Sequence, residues 1–491
     1  MKTKTHLSTC VAVLATLVGT ANALDYQGVY SNVQAGATVG TIIADINGVF
    51  CRAGVDTDGD GNKEIVLLRV DGTNDGAQLF IYEATGADNG YALKYSDRIT
   101  GEGLPSNFSS YGYIDVVNWD GANGPEIIVG FAGPAGAVTR NLMAYASTAN
   151  DTWGTGNTVA DNEFSQGLLL QPPAAADGDS EPLGFAFGDP DGDSVTEIVL
   201  IDDEQNAVIV ASIASGTWAG GNVVLTSEAD LGPVPSSPYA AQIADLNGDG
   251  RADIVVGIYQ NAAMAAYEGT AANTYALAKL NSPGLDFLNA YTDNVVRPES
   301  LLIADVDGNG VPTVFFAASG GGNIWTVDGI ASGALSTLGG IAATPFVNGG
   351  TDLGIVPSAS QTDGNIQAIY AIKLTDLDLD GRKEIVVAMQ DAPSLTVADN
   401  GELVILEYKG TGSEAALASY DITRAPASGL TMPEFVSDFA TGSTTAILDM
   451  DGDGLGEIVV ASSGIGLTNP IVTVFEVTPP VLNVEDFMMW Q

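Results

Sequence analysis

Asp376, Asp378 and Asp380 alternate along the stretch DLDLDGRKEIVVA, Gly381 follows them, and Glu384 opens a β-branched run. Carboxylates crowded this closely, about 4 Å apart, repel by roughly 1–4 kcal/mol per pair at effective dielectrics of about 80 to 20. A hard divalent cation among them removes that penalty, and Ca²⁺ takes about six to eight oxygen ligands. The chemistry suggested is therefore cation binding, and the pattern recurs along the chain.

Asp56, Asp58, Asp60 and Glu64 form the first copy, and Asp189, Asp191, Asp193 and Glu197 the third, with Ser194 in place of the glycine. The fourth is Asp245, Asn247, Asp249 and Asp253, the sixth starts at Asp376, and the seventh is Asp449, Asp451, Asp453 and Glu457. Two copies are degraded. The second has Asn118, Asp120 and Glu126 but Ala122 at the fifth position; the fifth has Asp305, Asp307 and Asn309 but Thr313 at the ninth.

An EF-hand loop starts alike but needs a bidentate glutamate at its twelfth position and flanking helices. Here the twelfth position is Leu67, Leu200, Val256, Val387 or Val460, and the acid stands at the ninth. Expected ligands are positions one, three, five and nine, with the backbone carbonyl of position seven: Asn62, Val195, Arg251, Val311, Arg382 or Leu455. Glycine at position six permits the reversal that turns this carbonyl inward.

The loops begin 62, 71, 56, 60, 71 and 73 residues apart, too close for separate domains and suited to propeller blades. Each unit has the same grammar. A short apolar run, such as Leu301–Ala304 or Ala446–Leu448, precedes the loop, and a β-branched run follows it. A third strand comes after a turn (Gln78–Tyr82, Ala207–Ala211, Glu402–Leu406, Ile471–Phe475), and a weaker fourth begins near Tyr91, Trp153, Trp218 or Tyr275. Those aromatics either stack on sugars or pack between outer strands. With no sustained helical period, the expected fold is all-β: a seven-bladed β-propeller of four-stranded antiparallel blades with calcium-binding loops. Either Thr38–Ile46 or Val484–Trp490 is expected to lock the ring.

The pattern D-x-[DN]-x-D-G-x-x-[DE] between an apolar run and I-V-V-G resembles the FG-GAP/VCBS repeats of integrin α-chain propellers and many secreted bacterial proteins. That resemblance implies calcium in the hairpin between each blade's first and second strands, at about five to seven sites. It also implies a recognition or adhesion role.

Composition narrows the chemistry. Lys2 and Lys4, the apolar Cys10–Val18 and Ala21-Asn22-Ala23 read as a secretory signal peptide cleaved after Ala23, leaving 24–491 as one propeller domain. The remaining chain has no histidine, a single thiol at Cys51, and 14 Lys+Arg (16 less Lys2 and Lys4) against 61 Asp+Glu. This excludes an internal disulfide, His/Cys zinc sites and His-based nucleophiles, and its charge repels nucleic acid and anionic membranes. No later stretch is long and apolar enough to span a membrane. Strand parity puts the irregular segments Thr158–Leu183, Asn281–Ser300, Ile330–Ile366, Gln390–Gly401 and Thr423–Thr441 on the face opposite the acidic loops, with Arg140, Arg297 and Arg424. The expected function is a secreted, calcium-binding recognition module for an extracellular glycan or protein. The alternative is a polysaccharide lyase or hydrolase on the same scaffold, needing a Tyr, Lys or Arg base or a carboxylate pair.

Overall fold

A β-branched run that is buried on both faces needs an apolar partner on each side, and this requirement builds the ring. In blade 4, Ile254 and Val256 face blade 3 while Val255 between them faces blade 5. In blade 1, Ile65 and Leu67 face blade 7 while Val66 and Leu68 face blade 2. The described residues form seven such apolar clusters, one at each seam between consecutive blades, including the seam that joins blade 7 to blade 1.

The computed structural model describes residues 25–31, 49–71, 76–98, 112–121, 124–131, 142–153, 182–202, 206–217, 223–232, 234, 238–258, 263–281, 298–318, 323–341, 344–348, 352, 369–390, 401–425, 438–462 and 471–478. It is a seven-bladed propeller whose blades are antiparallel sheets. Blade 1 comprises Val49–Val55, Glu64–Asp71, Gly76–Ala84 and Tyr91–Arg98, from the axis outward. Blades 3, 4 and 6 repeat this four-stranded plan, beginning at Pro182, Pro238 and Ile369. The helical elements among the described residues are three short 3-10 turns and the single helical residue Asp352.

Three departures from expectation matter. The ring is closed by Asp25–Ser31, which pairs antiparallel with Ile471–Thr478 as the outermost strand of blade 7. The two segments expected to do this lie outside the described residues. Among the described residues, blades 2 and 5 have three-stranded sheets: blade 2 adds a separate hairpin (Ser147–Ala149 with Thr152–Trp153), and in blade 5 the chain turns through Leu335–Thr337 and bridges back at Val347 to Ile324. In blade 7 the inner strand is Asp438–Ala440, not Ala446–Leu448. A turn at Ser443–Ala446 separates the two, because a Cβ at Gly442 would meet the Ala446 carbonyl at 2.3 Å and Ser443 N–H donates to that carbonyl at 2.8 Å.

The expected faces also need one correction. The segment starting at Ile330 leaves on the same side as the acidic loops, since Ile330 N–H donates to the Leu246 carbonyl (2.8 Å) in the blade 4 loop. Arg140, Arg297 and Trp218 lie outside the described residues. Tyr91 and Trp153 are buried, which favours the packing role for these two.

Candidate metal centres

Each acidic loop joins the inner strand of a blade to its second strand, and its carboxylates organise its own backbone. In blade 1, Asp56 accepts the N–H groups of Gly59 (2.6 Å) and Gly61 (3.0 Å), Asp58 accepts that of Asp60 (3.2 Å), and Asp60 accepts that of Asn62 (2.8 Å). The seventh-position N–H donates to the fifth-position side chain in the loops of blades 3 to 7 as well: Val195 to Asp193, Arg251 to Asp249, Val311 to Asn309, Arg382 to Asp380 and Leu455 to Asp453. The reversal needs left-handed backbone at position six, as at Gly381 (φ 89°) and Gly454 (φ 90°). Ser194 adopts it in blade 3 at φ 71°.

The ninth-position acid differs from the rest, being buried at the base of the loop. Glu64, Glu197, Glu384, Glu457 and Asp253 are at most 1% exposed. One oxygen accepts the second-position N–H: from Leu246 to Asp253 (2.9 Å), Leu377 to Glu384 (2.7 Å), Met450 to Glu457 (2.9 Å), and Thr57 to Glu64. The other oxygen of each, Glu64 Oε1, Asp253 Oδ1, Glu384 Oε1 and Glu457 Oε1, is buried without a hydrogen-bond partner. In blade 3 the second position is Pro190, which has no N–H, and both oxygens of Glu197 are orphaned. Asp376 Oδ1 is orphaned as well. A buried carboxylate oxygen without a donor is costly.

These orphans fall on the five complete copies. In the two degraded copies the carboxylates are satisfied. Glu126 accepts Trp119 N–H (2.9 Å) and is not among the orphaned groups. In blade 5, where Thr313 replaces the acid, a carboxylate arrives from elsewhere: Glu414, beyond the third strand of blade 6, accepts the N–H groups of Val306 (2.6 Å) and Asp307 (3.2 Å) and the Thr313 hydroxyl (2.5 Å). It occupies the place of the ninth-position acid on the second-position N–H. Glu414→Ala is expected to leave three donors unmatched and cost about 2–4 kcal/mol, read by denaturant unfolding; Glu414→Gln should recover part of it.

Where the residues converge, they offer only oxygen. Carboxylate oxygens of Asp56, Asp58, Asp60 and Glu64 lie within 4.8 Å of one another, as do those of Asp449, Asp451, Asp453 and Glu457, and those of Asp189, Asp191 and Glu197. Burial, reinforced by the loop aspartates, pushes the ninth acids up, to about 8 for Glu64 and Glu457, about 9 for Glu197 and Glu384, and about 7 for Asp253. In blade 6 the Asp380 carboxylate is paired with Arg382 (2.6 Å), which also contacts Glu407.

A second tier of acids stands behind the first. Across the hydrogen-bonded ladder Glu64 opposes Glu83, Asp253 opposes Glu268, Glu384 opposes Glu407, and Glu457 opposes Glu476. Like charges directly opposite destabilise a sheet unless a cation lies nearby. The motif was present in the sequence as IYE, AYE, ILE and VFE in the third strands of blades 1, 4, 6 and 7.

Sequence reasoning missed a cluster on the propeller axis. Arg52, on the inner strand of blade 1, pairs with Asp115 of blade 2 (3.1 Å), Asp438 of blade 7 (3.3 Å) and Glu299, just before blade 5 (2.7 Å). Lys373 of blade 6 pairs with Glu299 (3.2 Å) and Asp438 (3.0 Å). Tyr113 lies under Arg52, 5.2 Å from guanidinium carbon to ring centre, and burial pushes its hydroxyl far above the usual range. Cys51 is buried beside this cluster, and burial, then Asp438, pushes its thiol above the reactive range.

Among the described residues no helix is long and apolar enough to cross a membrane. Residues 189–256, spanning the loops of blades 3 and 4, match the FG-GAP-like repeat. No curated protein matches the chain. Among solved structures, BBS1N from a complex with ARL6DN is 10% identical, covering 94% of this chain and 98% of its own, at a TM-score of 0.46. A putative 6-phosphogluconolactonase from Bacteroides fragilis is 10% identical (89% and 92% covered, TM-score 0.42), and a periplasmic gluconolactonase of Pseudomonas aeruginosa is 12% identical (82% and 98%, TM-score 0.42). Likeness at this level carries nothing about chemistry. The seven seams and the repeat match make the chain a seven-bladed β-propeller carrying the FG-GAP-like repeat.

Proposed function

We propose that this is a secreted recognition module for a glycan or protein, held in shape by calcium at the loops of blades 1, 3, 4, 6 and 7. The observation that carries the cation is the set of buried, partnerless carboxylate oxygens, which falls on those five loops and on Glu83, opposite Glu64 behind the first. An all-oxygen, carboxylate-rich donor set suits a hard cation, and calcium tolerates such a flexible shell better than magnesium. Five similar loops spread round a ring act as staples, with no disulfide among the described residues to do so. Secretion rests on the leader-like residues 1–23; the ring-closing strand begins at Asp25, so cleavage after Ala23 leaves it whole.

Calcium requires the ninth acids ionised, whereas burial holds them protonated near neutrality when no cation is present. Binding therefore expels protons, and affinity is expected to rise as pH increases from about 6 to 9. Titration calorimetry at pH 7 in buffers of different ionisation heat should show net proton release. Release of none would remove the buried acids from the ligand set.

The recognition reading is tested with the chain lacking residues 1–23 on glycan arrays and soluble polysaccharides, with and without Ca²⁺. Calcium-dependent retention without turnover supports it. Release of unsaturated or reducing sugar would replace it with the lyase or hydrolase alternative. Among the described residues, the axial cluster is the place that suits that alternative, since it brings Tyr, Lys, Arg and carboxylates together. Against it, the described cations there are each paired with carboxylates, and Tyr113 is held protonated.

A further inference from the structure

At three seams the acidic loop of one blade is held by the outer hairpin of the next. Asp151 N–H, at the hairpin tip of blade 2, donates to Asp58 Oδ2 of the blade 1 loop (2.6 Å). Asn89 N–H of blade 1 donates to Asp451 Oδ2 of the blade 7 loop (2.5 Å), and Asn273 N–H of blade 4 donates to Asp191 Oδ2 of the blade 3 loop. The acceptor is the third-position carboxylate each time. The donor is each time a non-glycine residue in left-handed backbone (φ 56°, 53° and 54°). Side chains add to the contact, Trp153 Nε1 donating to Thr57 Oγ1 (2.8 Å) and Tyr275 to Asp191 (3.3 Å).

The second oxygen of the same third-position carboxylate shapes its own loop, accepting the fifth-position N–H in blades 1, 3 and 7. These three loops also contain the orphaned Glu64, Glu197 and Glu457 oxygens. We propose that cation binding at the loops of blades 7, 1 and 3 and docking of the outer hairpins of blades 1, 2 and 4 form one linked equilibrium, so that calcium sets how firmly the ring is closed. This rests on the calcium reading above. A cation fixes the third-position carboxylate where the neighbouring N–H meets it. Without one, that carboxylate is repelled by the acids on either side and the hairpin loses its acceptor. Linkage is reciprocal, so a hairpin forced off its loop must weaken the cation there by the same factor. The seam between blades 5 and 6 is an internal control, because Glu414 already satisfies the loop donors from the neighbouring blade.

Amide exchange followed by mass spectrometry on the chain lacking residues 1–23, in Ca²⁺ and in EGTA, tests this. Segments 85–90, 149–152 and 271–274 are expected to exchange at least tenfold faster without calcium, and segment 410–416 less than twofold faster. Gly269→Ala supplies the converse. Its Cβ would come 1.9 Å from the Pro190 carbonyl in the blade 3 loop, parting that seam without removing a ligand. One class of calcium sites should weaken at least fivefold in that variant while the others keep their affinity. If calcium binds with undiminished affinity in Gly269→Ala, or binds the parent chain and leaves the three hairpins exchanging as before, the linkage is wrong though the calcium reading stands. Absence of calcium binding to the parent chain would overturn both.

Discussion

Removing calcium with EGTA is expected to lower Tm by about 14 °C, and added Ca²⁺ to restore it. At a free concentration of about 100 Kd, each site contributes about 2.7 kcal/mol, so five give about 13 kcal/mol. Unfolding entropy of about 2.1 cal/mol/K per residue, over the 468 residues of 24–491 (491 less 23), is about 0.98 kcal/mol/K, and the ratio is the shift quoted. Loss of the seams one after another, instead of together, would broaden the transition as well as lower it. An unchanged melting curve in EGTA would mean that the loops hold their shape without a cation.

The same loops set a pH dependence for the calcium-free protein. Folding raises the ninth acids from ordinary carboxylate values to about 7–9, so the folded state binds more protons than the unfolded state in between. Stability without calcium therefore falls as pH rises through that window. Calcium cancels this by taking the place of the protons. The gap in Tm between Ca²⁺ and EGTA should widen from pH 6 to pH 9, and a gap that narrows would contradict the burial of these groups.

How much was legible in advance follows from where each signal is carried. The ring could be read because each second strand is buried on both faces, which forces runs such as EIVVA and DIVVG at blade spacing, each fixed in phase by its loop. The ring-closing strand DYQGVYS carries no such run, since an outermost strand pairs along one edge only. The five complete loops could be read from spacing alone. Glu414 could not, because its relation to Thr313 is created by the curvature that brings the outer part of blade 6 onto the blade 5 loop. Pro190 is visible in the sequence, but its consequence for Glu197 appears only once the second-position N–H is known to be the partner of the ninth acid. The axial cluster was dispersed as single charges within apolar inner strands, Arg52 in VFCRAGV, Asp115 in GYIDVV and Lys373 in IYAIKLT. A lone charge in such a strand was the available clue.

Arg52→Ala is expected to destabilise the protein by about 3–5 kcal/mol, as breaking a buried ion network does when it leaves uncompensated charge. Arg52 joins blades 1, 2 and 7 to the segment before blade 5, so its loss is felt across the axis as well as between neighbours. Lys373 cannot compensate fully. It already serves Glu299 and the fully buried Asp438, and lies 5.3 Å from the Phe439 ring centre. The pH dependence identifies the partner. Burial alone would raise the Glu299 carboxyl, but Arg52 and Lys373 outweigh it and hold the group at about 2. A carboxylate depressed on folding stabilises above its unfolded value near 4.5, and that contribution is lost as pH falls toward 2. The stability difference between the parent and Arg52→Ala should thus be largest near neutrality and shrink below about pH 4. Arg52→Lys keeps the charge but cannot reach Asp115, Glu299 and Asp438 together, so it should recover less than half of the loss. If Arg52→Ala unfolds in denaturant as the parent does at pH 7, the axial cluster contributes nothing to closure, and the seams alone hold the ring.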